Sequence, residues 1–174
     1  GNLTATSYAN IEGTVEGDAT SGSYVTTGDN STITGSVKAA GTARTWIHGE
    51  VGKDVWAAGP VTTHYNSEVH GDVVAAGTGT TTIYGAVRGD LSVGGPVSID
   101  YSGSVSGDVT AAGTTSSAVY GRITGSLAVA GTLSVDYNGT VSGPVTAAGT
   151  GTTSVFGRLG GSLKVAGTVT IDYN

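Results

Sequence analysis

The chain has 174 residues, 31 of them Gly, and carries 13 acidic against 7 basic side chains, for a net charge of −6 with only 11% of residues charged. Without a cluster of Lys or Arg it lacks the electrostatic footprint of a nucleic-acid or anionic-lipid binder, and no apolar run reaches membrane-spanning length. Cys is absent, which excludes disulfides and thiolate metal sites; Met is absent too, and a chain that opens on Gly1 without it has lost its initiator by processing or by excision from something longer, which leaves the compartment open and favours an extracellular or cell-surface location over a cytoplasmic one.

Residues 1–16 read as positions 3 to 18 of an incomplete rung, with Ile11-Glu12-Gly13-Thr14-Val15 matching the third side of the rungs that follow. From there the chain repeats itself with a constant 18-residue step and no insertion, starting at Gly17, Gly35, Lys53, Gly71, Gly89, Gly107, Gly125, Gly143 and Gly161. Self-similarity at a fixed period marks a solenoid. Eight full rungs thus fill residues 17–160, an incomplete C-terminal rung fills 161–174, and the whole of 1–174 forms one domain.

Within each rung, positions 3 and 5, 9 and 11, and 15 and 17 are apolar or small with mostly polar residues between them. That is the period of two expected of three short strands. The expected fold is therefore all-β: a three-sided single-stranded β-helix (β-solenoid) of nine to ten coils, without helices, on the order of 40 Å long at about 4.8 Å per coil. Gly at positions 1 and 7 suits tight corners, and with no helix pattern behind it is not a phosphate cradle. Alternate rungs resemble each other more than neighbours do, Gly71, Gly107 and Gly143 opening Gly-x-Val-x-Ala-Ala-Gly and Gly89, Gly125 and Gly161 opening Gly-x-Leu-x-Val-x-Gly. A 36-residue unit is the alternative to the 18-residue one.

The Gly17 rung departs furthest from the repeat. In the next two rungs Trp46 and Trp56 are expected to point outward and, with His48 and His64, make a candidate aromatic contact patch for a surface ligand. Tyr65, Tyr101, Tyr137 and Tyr173 alternate at position 13 with Ile47, Ile83, Val119 and Val155, and Tyr84, Tyr120 and Phe156 occupy position 14 of the other rungs; packing along one edge is the simplest reading. Two acidic columns, Asp54, Asp72, Asp90 and Asp108, and Asp100, Asp136 and Asp172, lack the Gly-Gly-x-Gly-x-Asp spacing of calcium-filled β-rolls. His48, His64 and His70 occupy different rung positions, without the spacing of a triad or metal site, so neither catalysis nor a cofactor is expected. Three-sided coils are shared with hexapeptide acyltransferases, but no catalytic His or cofactor loop can be placed here.

Positions 8 and 10 are expected to point outward on one flat side and are mostly hydroxylated. The pairs Thr78/Thr80, Thr114/Ser116, Thr132/Ser134, Thr150/Thr152 and Thr168/Thr170 resemble the Thr-x-Thr face of β-solenoid antifreeze proteins, which makes ice binding the second functional reading. Thr is also simply a good strand residue.

The apolar layers of the two end rungs carry the first reading. Leu3, Ile11 and Val15 at one end and Leu163, Val165, Val169, Ile171 and Tyr173 at the other form a candidate assembly interface, since an unsealed solenoid end exposes apolar side chains and strand edges that a second copy can cover. Such a heterologous, head-to-tail contact grows a homopolymer. Gly71-Asp72-Val73-Val74-Ala75-Ala76-Gly77 and Gly107-Asp108-Val109-Thr110-Ala111-Ala112-Gly113, with the Gly-opened rungs around them, resemble the repeats of bactofilins and related polymer-forming cytoskeletal-type proteins. The resemblance covers nearly the whole chain and implies a right-handed three-sided β-helix whose ends stack, without nucleotide, into filaments lacking polarity. The function expected is thus a structural subunit of a filament, sheath or surface fibre, with ice binding second and an adhesin stalk or surface-binding module third; the expected partner is the chain itself, and no small-molecule ligand is expected.

Overall fold

The computed structural model describes residues 1–172, and every regular element among them is a β-strand of two to four residues. The strands stack into three parallel sheets of ten, ten and nine strands, each strand paired only with its counterparts one coil below and one coil above. The three-sided all-β solenoid expected from the repeat is the fold. Coil 1 starts at Gly1, coil 2 at Gly17, and coils 3 to 10 at 18-residue steps from Gly35 to Gly161. Sheet 1 takes positions 3–5 of each coil (Val73–Ala75 in coil 5), sheet 2 the next side (Thr81–Ile83) and sheet 3 the shortest (Ala86–Val87).

Coil 1 corrects the expected boundaries. Leu3 pairs with Ala19, Ala9 with Val25 and Val15 with Ile33, so residues 1–16 close a whole turn with all three sides present. Running from Gly1 to Glu16, this coil is shorter by two than the rest.

The missing two residues explain the repeat. Sheet 3 keeps an 18-residue step throughout and sheet 1 does so from coil 2 on, but in sheet 2 Val61 pairs with Thr45, sixteen residues back, and Thr62 with Thr82, twenty ahead. Odd and even coils place the same two extra residues at different corners. In coil 5 five residues, 76–80, separate the strands of sheets 1 and 2 and only two, 84–85, lead on to sheet 3; in coil 6 these connections are three residues, 94–96, and four, 100–103. Coil 1 has both short connections. The 36-residue unit is therefore the structural one, and a constant sequence step conceals a strand that slides by two.

Sliding by two preserves which side chains face inward, because strand side chains alternate with period two. In odd coils from coil 3 on, the inward pair on sheet 2 is positions 11 and 13, so Ile47, Ile83, Val119 and Val155 are buried, whereas in even coils position 13 falls on the corner and Tyr65, Tyr101 and Tyr137 are exposed. The expectation that positions 9 and 11 face inward holds for coil 1 and the even coils. The third side also starts one residue later than expected: its strands occupy positions 16–17, and position 15 is a corner held by Gly or Ser. At Gly121 an added Cβ would sit 2.2 Å from the carbonyl oxygens of Asp100 and Gly103, so this corner tolerates no side chain there.

The core is a stack of small β-branched and aliphatic side chains, with Val37, Val55, Val73, Leu91, Val109, Leu127 and Val145 forming one wholly buried column. Each contributes roughly 1.5–3 kcal/mol through burial. Buried hydroxyls handle the backbone groups that the sliding strand leaves without a ladder partner. Thr63 Oγ1 accepts the N–H groups of Tyr84 and Gly85 at 3.0 and 3.1 Å, Thr27 does the same for His48 and Gly49, and Thr81 and Ser117 accept from Val61 and Val97. At the corner before sheet 1, Asp54, Asp72, Asp90 and Asp108 each accept, through Oδ1, the N–H of the equivalent residue one coil on, at 2.7–2.9 Å. This acidic column is a backbone cap. It lapses at Pro144, which has no N–H to offer.

Two outcomes are expected. Thr63→Val keeps the shape but strands two buried donors, so the unfolding free energy falls by about 1–3 kcal/mol in denaturant titration, against a change within about 0.5 kcal/mol for Thr82→Val on the outer face of the same sheet. The backbone and side-chain bonds from Ser126 hold the Asp108 carboxyl below its ordinary value. A depressed folded-state value means stability that is full above the ordinary Asp range and lost as pH falls through the depressed one. Thermal melts on acidification should therefore show wild type losing more stability than Asp108→Asn, which keeps the acceptor and cannot titrate.

Candidate assembly surfaces

The two ends differ in how much apolar surface they present. At the C-terminal end Val169 and Ile171 are 44% and 43% exposed, although Thr153 and Val155, with which they pair one coil earlier, are buried. Leu163 and Val165 beside them are half-buried, and Tyr173 lies outside the described residues. A groove lined by Val155, Gly157, Leu159, Gly161, Leu163 and Ile171 opens where sheets 1 and 2 run to a tenth strand and sheet 3 has nine. At the N-terminal end Leu3 and Ala5 are half-buried, whereas Ile11 and Val15 are buried. Of the residues expected to form that end of the interface, Leu3 is the one whose surface is available.

The hydroxyl face is not one lattice. The outward column of sheet 2 runs Asn10, Thr26, Trp46, Thr62, Thr82, Ser98, Ala118, Ser134, Ser154 and Thr170. Of the expected set, Ser134 and Thr170 lie on it, and Thr152 and Thr168 open their strands. Thr78, Thr80, Thr114, Ser116, Thr132 and Thr150 lie in the corner between sheets 1 and 2. The two-residue slide carries positions 8 and 10 of the odd coils up to coil 7 off the flat side, which leaves one outward residue in each three-residue strand, interrupted by Trp46 and Ala118; only the last two strands, of four residues, carry two.

The two tryptophans also part company. Trp46 is on sheet 2, paired with Thr26 and Thr62, while Trp56 is on sheet 1, paired with Lys38 and Val74, so they face different sides of the rod. Each has its own cation, the Arg44 guanidinium 5.8 Å from the Trp46 ring and the Lys38 ammonium 5.5 Å from Trp56. Trp46 instead begins an aromatic run along the corner between sheets 2 and 3, through His48, His64 and Tyr65 to Tyr84, with successive ring centroids 4.9–6.3 Å apart. Tyr101/Tyr120 and Tyr137/Phe156 repeat its last pair at 36-residue intervals, the long corner of an even coil laying its Tyr on the ring of the next coil.

Sequence reasoning missed two polar clusters, the first because its members come from three coils and three rung positions, the second although its members recur at the 18-residue step. Asp29 Oδ1 lies 3.6 Å from His64 Nδ1 and 4.0 Å from His48 Nδ1. On sheet 3 Glu50 and Glu68 stand directly opposite each other, a like-charge pair made tolerable by His70, 2.9 Å from Glu50, and by Arg88, 2.6 Å from Glu68. The hydrogen bond from Arg88 holds the Glu68 carboxyl below its ordinary value. Among the described residues no cluster of three or more His, Asp or Glu is arranged to hold a metal ion, and no helix is long and apolar enough to cross a membrane.

Comparison with known proteins adds one finding. The family model described as Bactofilin, polymer-forming cytoskeletal, matches residues 1–80 and 75–149. No curated protein and no solved structure matches the chain. Together the two overlapping matches cover coils 1 to 8 and the opening of coil 9, with the parallel solenoid running through all of them without a break. The chain belongs to the bactofilin family of polymer-forming cytoskeletal proteins.

Proposed function

We propose that this chain is a structural subunit that polymerises by stacking its end coils, Leu163, Val165, Val169 and Ile171 of one copy lying against the Leu3 end of the next, a head-to-tail order that makes the fibre polar and departs in this from the filaments without polarity that the resemblance implies. Its work is mechanical, and none of its side-chain clusters is assigned a catalytic role. The observation that supports this reading is the exposure of Val169 and Ile171 at strand positions whose counterparts one coil earlier are buried. An added coil would bury them as coil 10 buries Thr153 and Val155, and would extend the ladders of sheets 1 and 2, which already run to a tenth strand. Each interior sheet edge is satisfied by the neighbouring coil, so a copy placed at the end needs no new kind of contact.

Val169→Lys and Leu163→Lys place an ammonium in this layer, where burial without a partner is costly. Sedimentation and electron microscopy should show both variants as short particles under conditions in which wild type forms fibres, with circular dichroism unchanged. Trp56→Lys on the side of the rod should leave polymerisation intact. Fibres of wild-type length and abundance in both end variants would remove this interface from consideration.

A further inference from the structure

Sheet 3 separates charge along the rod. Its outward column runs Thr14, Thr32, Glu50, Glu68, Ala86, Ser104, Arg122, Thr140 and Arg158. Counting also the residue that follows each strand, coils 1 to 4 carry Glu16, Glu50 and Glu68 with no Lys or Arg, and coils 5 to 9 carry Arg88, Arg122 and Arg158 with no acid. These are three of the chain's seven basic side chains, gathered on one half of its narrowest side. Arg88 is taken by Glu68, whereas His70 meets Oε1 of Glu50 and leaves Oε2 of that exposed carboxylate for a second partner. Glu16, Arg122 and Arg158 are exposed and make no ion pair among the described residues.

We infer that sheet 3 is a lateral contact between two copies of this chain lying antiparallel, related by a two-fold axis through Ala86 of coil 5. The coil arithmetic selects that axis. Arg122 in coil 7 and Arg158 in coil 9 lie two and four coils to one side of it, and Glu50 in coil 3 and Glu16 in coil 1 lie two and four coils to the other. Turning one copy end over end therefore sets Arg122 against Glu50 and Arg158 against Thr14, with Glu16 two residues further along the same coil as the carboxylate that Arg158 takes, each pair occurring twice. Between them, coils 2 and 8 meet through Thr32 and Thr140. Ser104 of coil 6 meets Glu68, whose charge is already paired. On the axis itself Ala86, the smallest residue of the outward column, meets its own copy, and so does Arg88 two residues along, whose charge Glu68 of the same chain already pairs. A parallel pairing in the same register would set Glu on Glu and Arg on Arg. The interface is isologous, so it closes at two copies and joins rods side by side, independently of any stacking at their ends. Exposed ion pairs are individually weak and are screened by salt, so the pairing is salt-sensitive.

The absence of Cys makes the test direct. Ala86→Cys puts one thiol on the proposed axis, and under mild oxidation at low salt it should give a disulfide-linked dimer. Ser92→Cys on the outer face of sheet 1 should not. The link should fall about tenfold when Arg122 and Arg158 are both changed to Glu, or when salt is raised towards 1 M. It should return when Glu16→Arg and Glu50→Arg are added to that double variant, which restores the pairing with its sign reversed. Rods of the Ala86→Cys variant that fail to polymerise would still link through the introduced thiol, so failure of end stacking is read separately, by microscopy of the same samples. Linkage in the Ala86→Cys variant no greater than in Ser92→Cys, or unaffected by the double charge reversal, would overturn the antiparallel contact.

Discussion

Each strand in this molecule hydrogen-bonds only to the strands one coil below and one coil above, so a coil is stable only if all three of its sides arrive in register with a coil already in place. A helix would satisfy its own backbone; a two- or three-residue strand cannot. Every local feature answers to that closure. The corners are where the chain has freedom to lengthen, and they use it in one way, two extra residues at one corner or the other. The first coil uses neither, which shows that the span from Gly1 to Glu16 suffices to close the triangle. Adding two leaves the inward and outward sets unchanged, whereas adding one would turn the core side of the following strand to solvent.

Polar residues inside and at the corners follow from the same requirement. Where the second sheet slides, some N–H groups face a gap in the ladder, and a buried Thr or Ser supplies the missing acceptor, as Thr63 does for Tyr84 and Gly85. Before the first sheet the Asp column does this on the surface, one carboxylate per coil boundary from Asp54 to Ser126. The carboxylates of this column, Asp54, Asp72, Asp90 and Asp108, are occupied by backbone donors. The aromatic pairs are a further product of the slide, since only the long corner of an even coil projects far enough to lay Tyr65, Tyr101 or Tyr137 on the ring of the next coil.

The architecture was legible because a period of 18, apolar alternation and corner glycines all point to one closed shape. The sliding strand was half visible: Tyr and Ile alternate at position 13 because the position is a corner in one coil and core in the next. Read with a single register, the same alternation produced the hydroxyl lattice, which requires a position number to mean the same place in every coil. Coil 1 was misplaced for the same reason, its shorter span being aligned to the end of a full-length rung. The tryptophan patch failed because Trp46 and Trp56, at positions 12 and 4, belong to different sides of the triangle. The contacts between His48, His64 and Asp29 join three coils and three rung positions, which only the folded corner brings together, whereas the charge separation along the third sheet follows the constant 18-residue step and was there to be read. Membership of a polymer-forming family agrees with a rod whose interior edges are all satisfied by more of itself.

The central claim is that the ladder running through one chain continues into the next. Cryo-electron microscopy of fibres grown from the purified chain, without nucleotide or metal, measures this directly. Continuous stacking predicts an unbroken axial layer spacing of about 4.8 Å, with a doubled repeat of about 9.6 Å from the odd and even coils, and Val169 and Ile171 buried against the first coil of the next chain. Discrete rods on the order of 40 Å long, or fibres whose chains meet through their sides with the end coils open to solvent, would contradict it.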